Sequence, residues 1–310
     1  MLQISFISTG STVSQTPIMA SICYNLVNTW VKEVETDPDF PVACIYDFSN
    51  MYSTLQYFAT DKMLTRLNEL TSIVEVMKNT KGVNFDWSLC TFPSKFAHKK
   101  TKEPLFFVVP IFPRGMTSDL RKDDIIELTK ILKHIAEAIS KAKCQFVIYD
   151  LPIIDTMGSN LAVLPALVNS NYIVGVIDCR KPNYRALENE LHALTSFIEK
   201  TSSLTNPGLA INGLILANID ERAKSEKWIE KFEQECYIPV IGQIREDSYF
   251  TTVSSKYEIP MEEKHANKLK FYTDFTITAN VLKNNLNMES SIRKLQGNQA
   301  EMLEEKIYSF

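Results

Sequence analysis

Along the chain, short runs of consecutive apolar residues alternate with longer stretches in which apolar residues recur every three or four positions. The runs are LQISFIS (2–8), PVACIYDF (41–48), LFFVVPIF (105–112), CQFVIYDLPI (144–153), YIVGVIDC (172–179) and INGLILANID (211–220), with a shorter IPVIGQI at 238–244. Such runs read as strands of a parallel sheet covered on both faces. The stretches between them predict helices over Ile18 to Lys32, Asp61 to Lys78, Lys122 to Lys143, Tyr184 to Lys200 and Ala223 to Glu235. In the third, Ile125, Leu128, Leu132, Ile135 and Ile139 form one apolar stripe for a sheet to cover. Strand and helix alternate without a linker, an internal repeat or a low-complexity segment. The pattern predicts an α/β fold: one doubly wound, mainly parallel sheet with helices on both faces.

Composition narrows the class without naming a chemistry. With 310 residues, 45% of them hydrophobic, the chain can bury a full core. A formal net charge of −4 gives no general affinity for nucleic acid or anionic membrane, so such a contact needs a local patch. One candidate is KFAHKKTK, Lys95 to Lys102, which reads either as a solvated loop or as a contact for DNA or an acidic partner. The six cysteines, with no Cys-x-x-Cys pair, read as reduced core residues of a cytoplasmic protein. No run approaches the roughly 18 apolar residues of a membrane span, so integral membrane association is not expected. His98, His134, His192 and His265 show no metal-ligand spacing, and no Gly-x-Ser-x-Gly elbow suggests a hydrolase.

The candidate chemistry lies after the first strand, in FISTGSTVSQTPIMASICYNL (6–26), placed where a phosphate loop would be. Such loops use glycines so that backbone N–H groups converge on phosphate, a lysine for charge, and a Ser or Thr hydroxyl for magnesium. The stretch resembles the loop of the ParA/MinD family of deviant Walker ATPases, K-G-G-x-G-K-T-[TS]. On that pattern Gly10 stands for the first lysine, Ser11 and Thr12 for two glycines, Val13 for the variable position, Ser14 for the third glycine and Gln15 for the second lysine. Thr16 keeps the magnesium-binding threonine and Pro17 stands at the last position. Further along, FVIYDLP (146–152) resembles the Walker B strand with Asp150, and INGLILANID resembles the strand whose Asn218 faces the adenine. SNYIVGVIDCRKPNYRALENEL (170–191) and YIPVIGQIRED resemble the strands and turns between and after them. The family's second strand ends in two acids, whereas IYDFSN offers only Asp47, the one candidate for a catalytic group. The resemblance runs from Leu2 to Leu282, which implies a P-loop NTPase-like domain over 1–282 and a helical extension over 283–310.

Each bland reading remains beside these. The loop can be a Ser/Thr-rich turn with Thr12 or Ser14 capping the helix. Asp150 can be a turn residue, and Asn218 can bond the loop after its strand.

If the resemblance holds, loss of both lysines removes about 3–6 kcal/mol of phosphate contacts. A cation on the transferring phosphoryl group is worth about 10³–10⁵ in rate. The expectation is a pseudo-ATPase that binds ATP or ADP with magnesium weakly, through Thr16 and Asp150 if at all, and holds no cofactor tightly. The hydroxyls of Ser8, Thr9, Ser11, Thr12, Ser14 and Thr16 remain for a smaller anion. The resemblance implies a scaffold for a protein partner, or a homodimer, in DNA partition, cell positioning or assembly of a surface machine. The alternative is a nucleotide-dependent switch or slow ATPase with charge from Arg114, Arg180 or a partner. The last ten residues carry Glu301, Glu304 and Glu305 against Lys306, which fits a packed or partner-binding helix better than anionic lipid.

Overall fold

In the computed structural model the apolar runs become strands β1 (Leu2–Ile7), β2 (Ala43–Asp47), β4 (Phe106–Pro110), β5 (Phe146–Asp150), β6 (Tyr172–Asp178), β7 (Gly213–Ile219) and β8 (Val240–Arg245). A two-residue β3 (Phe92–Pro93) completes one sheet of order β3-β4-β2-β5-β1-β6-β7-β8, parallel throughout except for the antiparallel β3 edge. The structure describes residues 1–9, 15–33, 42–49, 51–80, 86–99, 101–115, 120–141, 144–154, 161–180, 184–204, 209–220, 229–230, 232–234 and 237–287.

Successive residues of a strand point to opposite faces, and both faces are packed. In β5, Val147 and Tyr149 enter one core with Leu128, Leu132, Ile135 and Ile139 of α5 (Lys122–Lys141). Phe146 and Ile148 enter the other with Ile18, Ile22 and Leu26 of α1 (Gln15–Glu33). This two-sided burial explains why the strands show no polar alternation. The helix of Tyr184–Leu204 adds Leu187, Leu191, Leu194 and Ile198 to the first core. Five cysteines, Cys23, Cys44, Cys90, Cys144 and Cys179, are buried and free. Among the described residues no helix is long and apolar enough to cross a membrane.

The region expected as one helix over Asp61 to Lys78 is three short pieces. Here α2 (Ser53–Phe58) precedes α3 (Asp61–Leu64), a 3₁₀ turn follows at Leu67–Glu69, and α4 spans Ile73–Thr80. Leu70 is extended at ψ 132°, which ends the turn. Ser72 then starts α4 through a reciprocal cap: its Oγ accepts from the Glu75 N–H at 3.2 Å, and its own N–H donates to Glu75 Oε2 at 2.7 Å. The helix expected over Ala223 to Glu235 lies largely outside the described residues. A further helix over Ser248–Ser254 is capped by Asp247, which accepts from the Tyr249 and Phe250 N–H groups. The last described helix, over 272–287, buries Leu282 and Leu286 and so continues across the 282/283 division. It lies so close to β8 that a Cβ on Gly242 would fall 2.3 Å from Thr278.

Candidate functional site

The sheet brings two carboxylates to the same level. Asp47 and Asp150 end the adjacent parallel strands β2 and β5 and are directly paired in register, with β1 on the other side of β5. Helix α1 starts beside them, on the carboxyl-end side of β1 where open α/β sheets hold their ligands. Its first residue, Gln15, is buried, and Gln15 Nε2 donates to Asp150 Oδ1 at 3.0 Å and to the Leu151 carbonyl at 2.6 Å, with the Phe6 carbonyl at 3.4 Å. Gln15 Oε1 is buried and has no hydrogen-bond partner among the described residues. Thr16 Oγ1 donates to Asp150 Oδ2 at 2.8 Å, and Thr54 Oγ1 of α2 donates to the same oxygen. Asp47 accepts the Ser49 N–H and the Leu55 N–H, each at 2.9 Å. Thus α2 is tied to both carboxylates, by Thr54 to one and by Leu55 to the other.

These donors carry no formal charge. Burial pushes the Asp47 carboxyl up from 3.8 to about 7, reinforced by the neighbouring Asp150 and opposed by the bonds from Leu55 and Ser49. Burial also raises Asp150, against the hydrogen bonds from Thr54, Gln15 and Thr16. A cavity of about 460 Å³ opens here, lined by Gln15, Thr16, Asp150, Arg180, Tyr57 and Ser254 among others. Arg180 is the one cation among its described lining residues. Its guanidinium is held by Asp178, Nη2 to Oδ2 at 2.5 Å. Asn218 also bonds the Asp178 carboxylate, with its backbone in the left-handed region at φ 56°.

The structure thus brings together five of the residues singled out in the sequence: Gln15, Thr16, Asp47, Asp150 and Arg180. Gly10, Ser11, Thr12, Val13 and Ser14 lie outside the described residues. Thr9 turns away, its hydroxyl donating to the Glu190 carbonyl at 3.3 Å. Arg114 does not line the cavity and donates to Asn68 Oδ1 at 2.6 Å. In the basic segment, Lys95 lies over the Phe96 ring at 5.2 Å, and burial lowers its ammonium despite Glu262 and Glu258 nearby. Thr54, Tyr57 and Ser254 were not foreseen. They reach the site through the tertiary fold, and only the Asp247 cap hinted at the helix carrying Ser254.

The strand order, the helix leaving β1 and the paired carboxylates can be set beside known structures. MinD from the MinC:MinD cell division protein complex of Aquifex aeolicus matches with a TM-score of 0.63 at 14% identity, over 92% of this chain and 96% of that one. Apo McdA from Cyanthece matches at 0.64 and 10% identity, over 91% and 99%. A ParA family ATPase from Chlorobium tepidum matches at 0.55 and 14% identity, over 90% and 98%. This chain has the ParA/MinD fold. No family model and no curated protein sequence matches it.

A nucleotide with magnesium is what that fold suggests, and the residues can be tested against it. Thr16 and Asp150 form a pair suited to a cation, but among the described lining residues the one positive charge, Arg180, is already paired with Asp178. Where the resemblance places the second lysine, a neutral amide points back into Asp150 and two backbone carbonyls. Two buried carboxylates and an arginine already paired do not fit a polyanion.

Proposed function

We propose that the chain is a pseudo-ATPase with the ParA/MinD fold that acts as a partner-binding or positioning scaffold in the cytoplasm. The observation that carries this reading is Gln15: its amide is buried and hydrogen-bonded to Asp150 at 3.0 Å, and the one cation among the described lining residues, Arg180, is engaged by Asp178. The site then serves as a structural lock that ties α1 and α2 to the ends of β5 and β2. Protein partnership is supported by the neighbour MinD, whose structure is that of a MinC:MinD complex. A second copy of this chain is one such partner. DNA contact through Lys95 to Lys102 is a weaker reading, since Lys95 has the acidic Glu262, Glu258 and Asp61 beside it. The second reading is a nucleotide-dependent switch. It draws on the Thr16–Asp150 pair and requires Arg180 to leave Asp178.

Calorimetry with ATP and ADP, each with magnesium, tests the proposal. The native chain is expected to show no submillimolar binding. Binding should emerge in a variant carrying Gln15→Lys with Ser11→Gly, Thr12→Gly and Ser14→Gly, because charge and backbone access return together. Submillimolar affinity in the native chain would overturn the reading.

A further inference from the structure

Resting on that reading of the site, we propose that the cavity binds an organic cation: an ammonium or guanidinium group carried on a short apolar stem. Two of the lining residues carry a buried oxygen without a partner among the described residues. Gln15, 3% exposed, and Ser254, 8% exposed, both line the cavity, and Gln15 Oε1 and Ser254 Oγ lack a hydrogen-bond partner among the described residues. Asp150 adds a carboxylate whose Oδ1 accepts from Gln15 and keeps a further lone pair. Buried acceptors without donors are costly, and a group that brings several N–H donors and a positive charge relieves them together. A phosphate brings only more acceptors and more negative charge.

The rest of the lining suits the stem. Met51, Ile153 and Tyr257 are exposed by 54%, 42% and 42%, and all three belong to the cavity. Tyr57 and Tyr257, which meet edge to face at 5.5 Å between ring centres, both line the cavity and add aromatic surface to it. The volume of about 460 Å³ is that of a small-molecule site. Arg180 does not oppose a cation in the cavity, because Asp178 neutralises it.

Calorimetry on the full chain, with benzylammonium and agmatine as probes, benzyl alcohol as the neutral comparison and ATP as the anionic one, tests the inference. Benzylammonium should bind at least about tenfold more tightly than benzyl alcohol, the range of a charge-assisted hydrogen bond. Asp150→Asn should remove that preference. Since this variant can fail to fold, Ser254→Ala provides the second test, with benzylammonium weakened about 2–10-fold and a ligand-free thermal midpoint that holds or rises, because the variant removes a hydroxyl that is buried and unpartnered among the described residues. A blocked tripeptide with a central arginine separates the sources: binding tighter than agmatine assigns the site to a partner's side chain, and weaker binding to a free amine. Equal binding of benzylammonium and benzyl alcohol, or no binding of either cation, overturns this inference alone. Submillimolar ATP binding overturns the scaffold reading beneath it.

Discussion

Asp150 and Asp178 occupy equivalent places and behave in opposite ways. Each is the last residue of a parallel strand beside β1, and each is almost wholly buried, at 2% and 5% exposure. Asp150 receives the amide of Gln15 and the hydroxyls of Thr16 and Thr54, and its carboxyl is pushed up by burial. At Asp178 burial acts in the same direction, but the Arg180 guanidinium and backbone N–H, with Asn218, outweigh it and hold the carboxyl low. Neither strand position nor burial decides the charge of a carboxylate. The opposite directions follow the donors, charged at Asp178 and neutral at Asp150, where position 15 supplies an amide and the family resemblance places a lysine.

The comparison is tested hardest by removing Asp150. In Asp150→Ala the Thr16 and Thr54 hydroxyls lose their acceptor at once, while Gln15 Nε2 keeps the Leu151 and Phe6 carbonyls. Unsatisfied buried donors cost about 1–3 kcal/mol each, and these two hydroxyls are coupled, so a loss on the order of 2–4 kcal/mol is expected in urea unfolding at neutral pH. A loss below about 1 kcal/mol would show that the donors find other partners and that the lock is not structural.

Asp47 tests the same region by pH. Its carboxyl rises from 3.8 to about 7, so the folded state holds this proton more tightly than the unfolded chain. The associated stability is therefore complete below the ordinary carboxylate value and is lost as pH rises through about 7. For a shift of this size, stability should fall by about 2–3 kcal/mol between about pH 5 and about pH 8. Among the described residues the groups facing Asp47 are Asp150, Tyr52, Ser49 and the Leu55 N–H, and none of these is a cation. Asp47→Asn should flatten the profile. An unchanged slope would move the titration elsewhere.

Much of this frame was legible in the sequence, because two-sided burial leaves a direct trace in uninterrupted apolar runs such as FVIYD at β5. The expected helix over Asp61 to Lys78 failed where apolar spacing was read without its punctuation. Ser72 and Glu75 spell a capping box, S-x-x-E, and mark the true start of α4. At the site, Asp150 was visible because it ends a strand, and Gln15 and Thr16 because they open the helix that follows β1. Thr54 was not, since nothing local announces a hydroxyl that must reach a carboxylate 96 positions away. Asn218 shows both sides of the problem. Its place at a strand end was apparent, whereas its left-handed backbone and its bond to Asp178 depend on the bulge where β7 meets β8.

The smallest effect belongs to the other half of the comparison. Arg180→Gln leaves Asp178 with neutral donors only and so gives it the surroundings of Asp150, and its carboxyl should move up toward the range of that group. The sign of the linkage is opposite to that at Asp47: a lowered carboxyl stabilises the fold above the ordinary carboxylate range, and this stability is lost on acidification. Because Arg180 is 46% exposed, screening limits the pair to about 1 kcal/mol or less. Titration of the Asp178 carboxyl by NMR is therefore a better readout than unfolding. In the native chain, salt near 1 M should shift that titration part of the way, since Debye screening reaches the exposed guanidinium. The same salt should leave the Asp150 centre almost unmoved, because no mobile ion stands between a buried carboxylate and three neutral donors. If both carboxylates responded equally to salt, the nearest donor's charge would no longer explain why they differ.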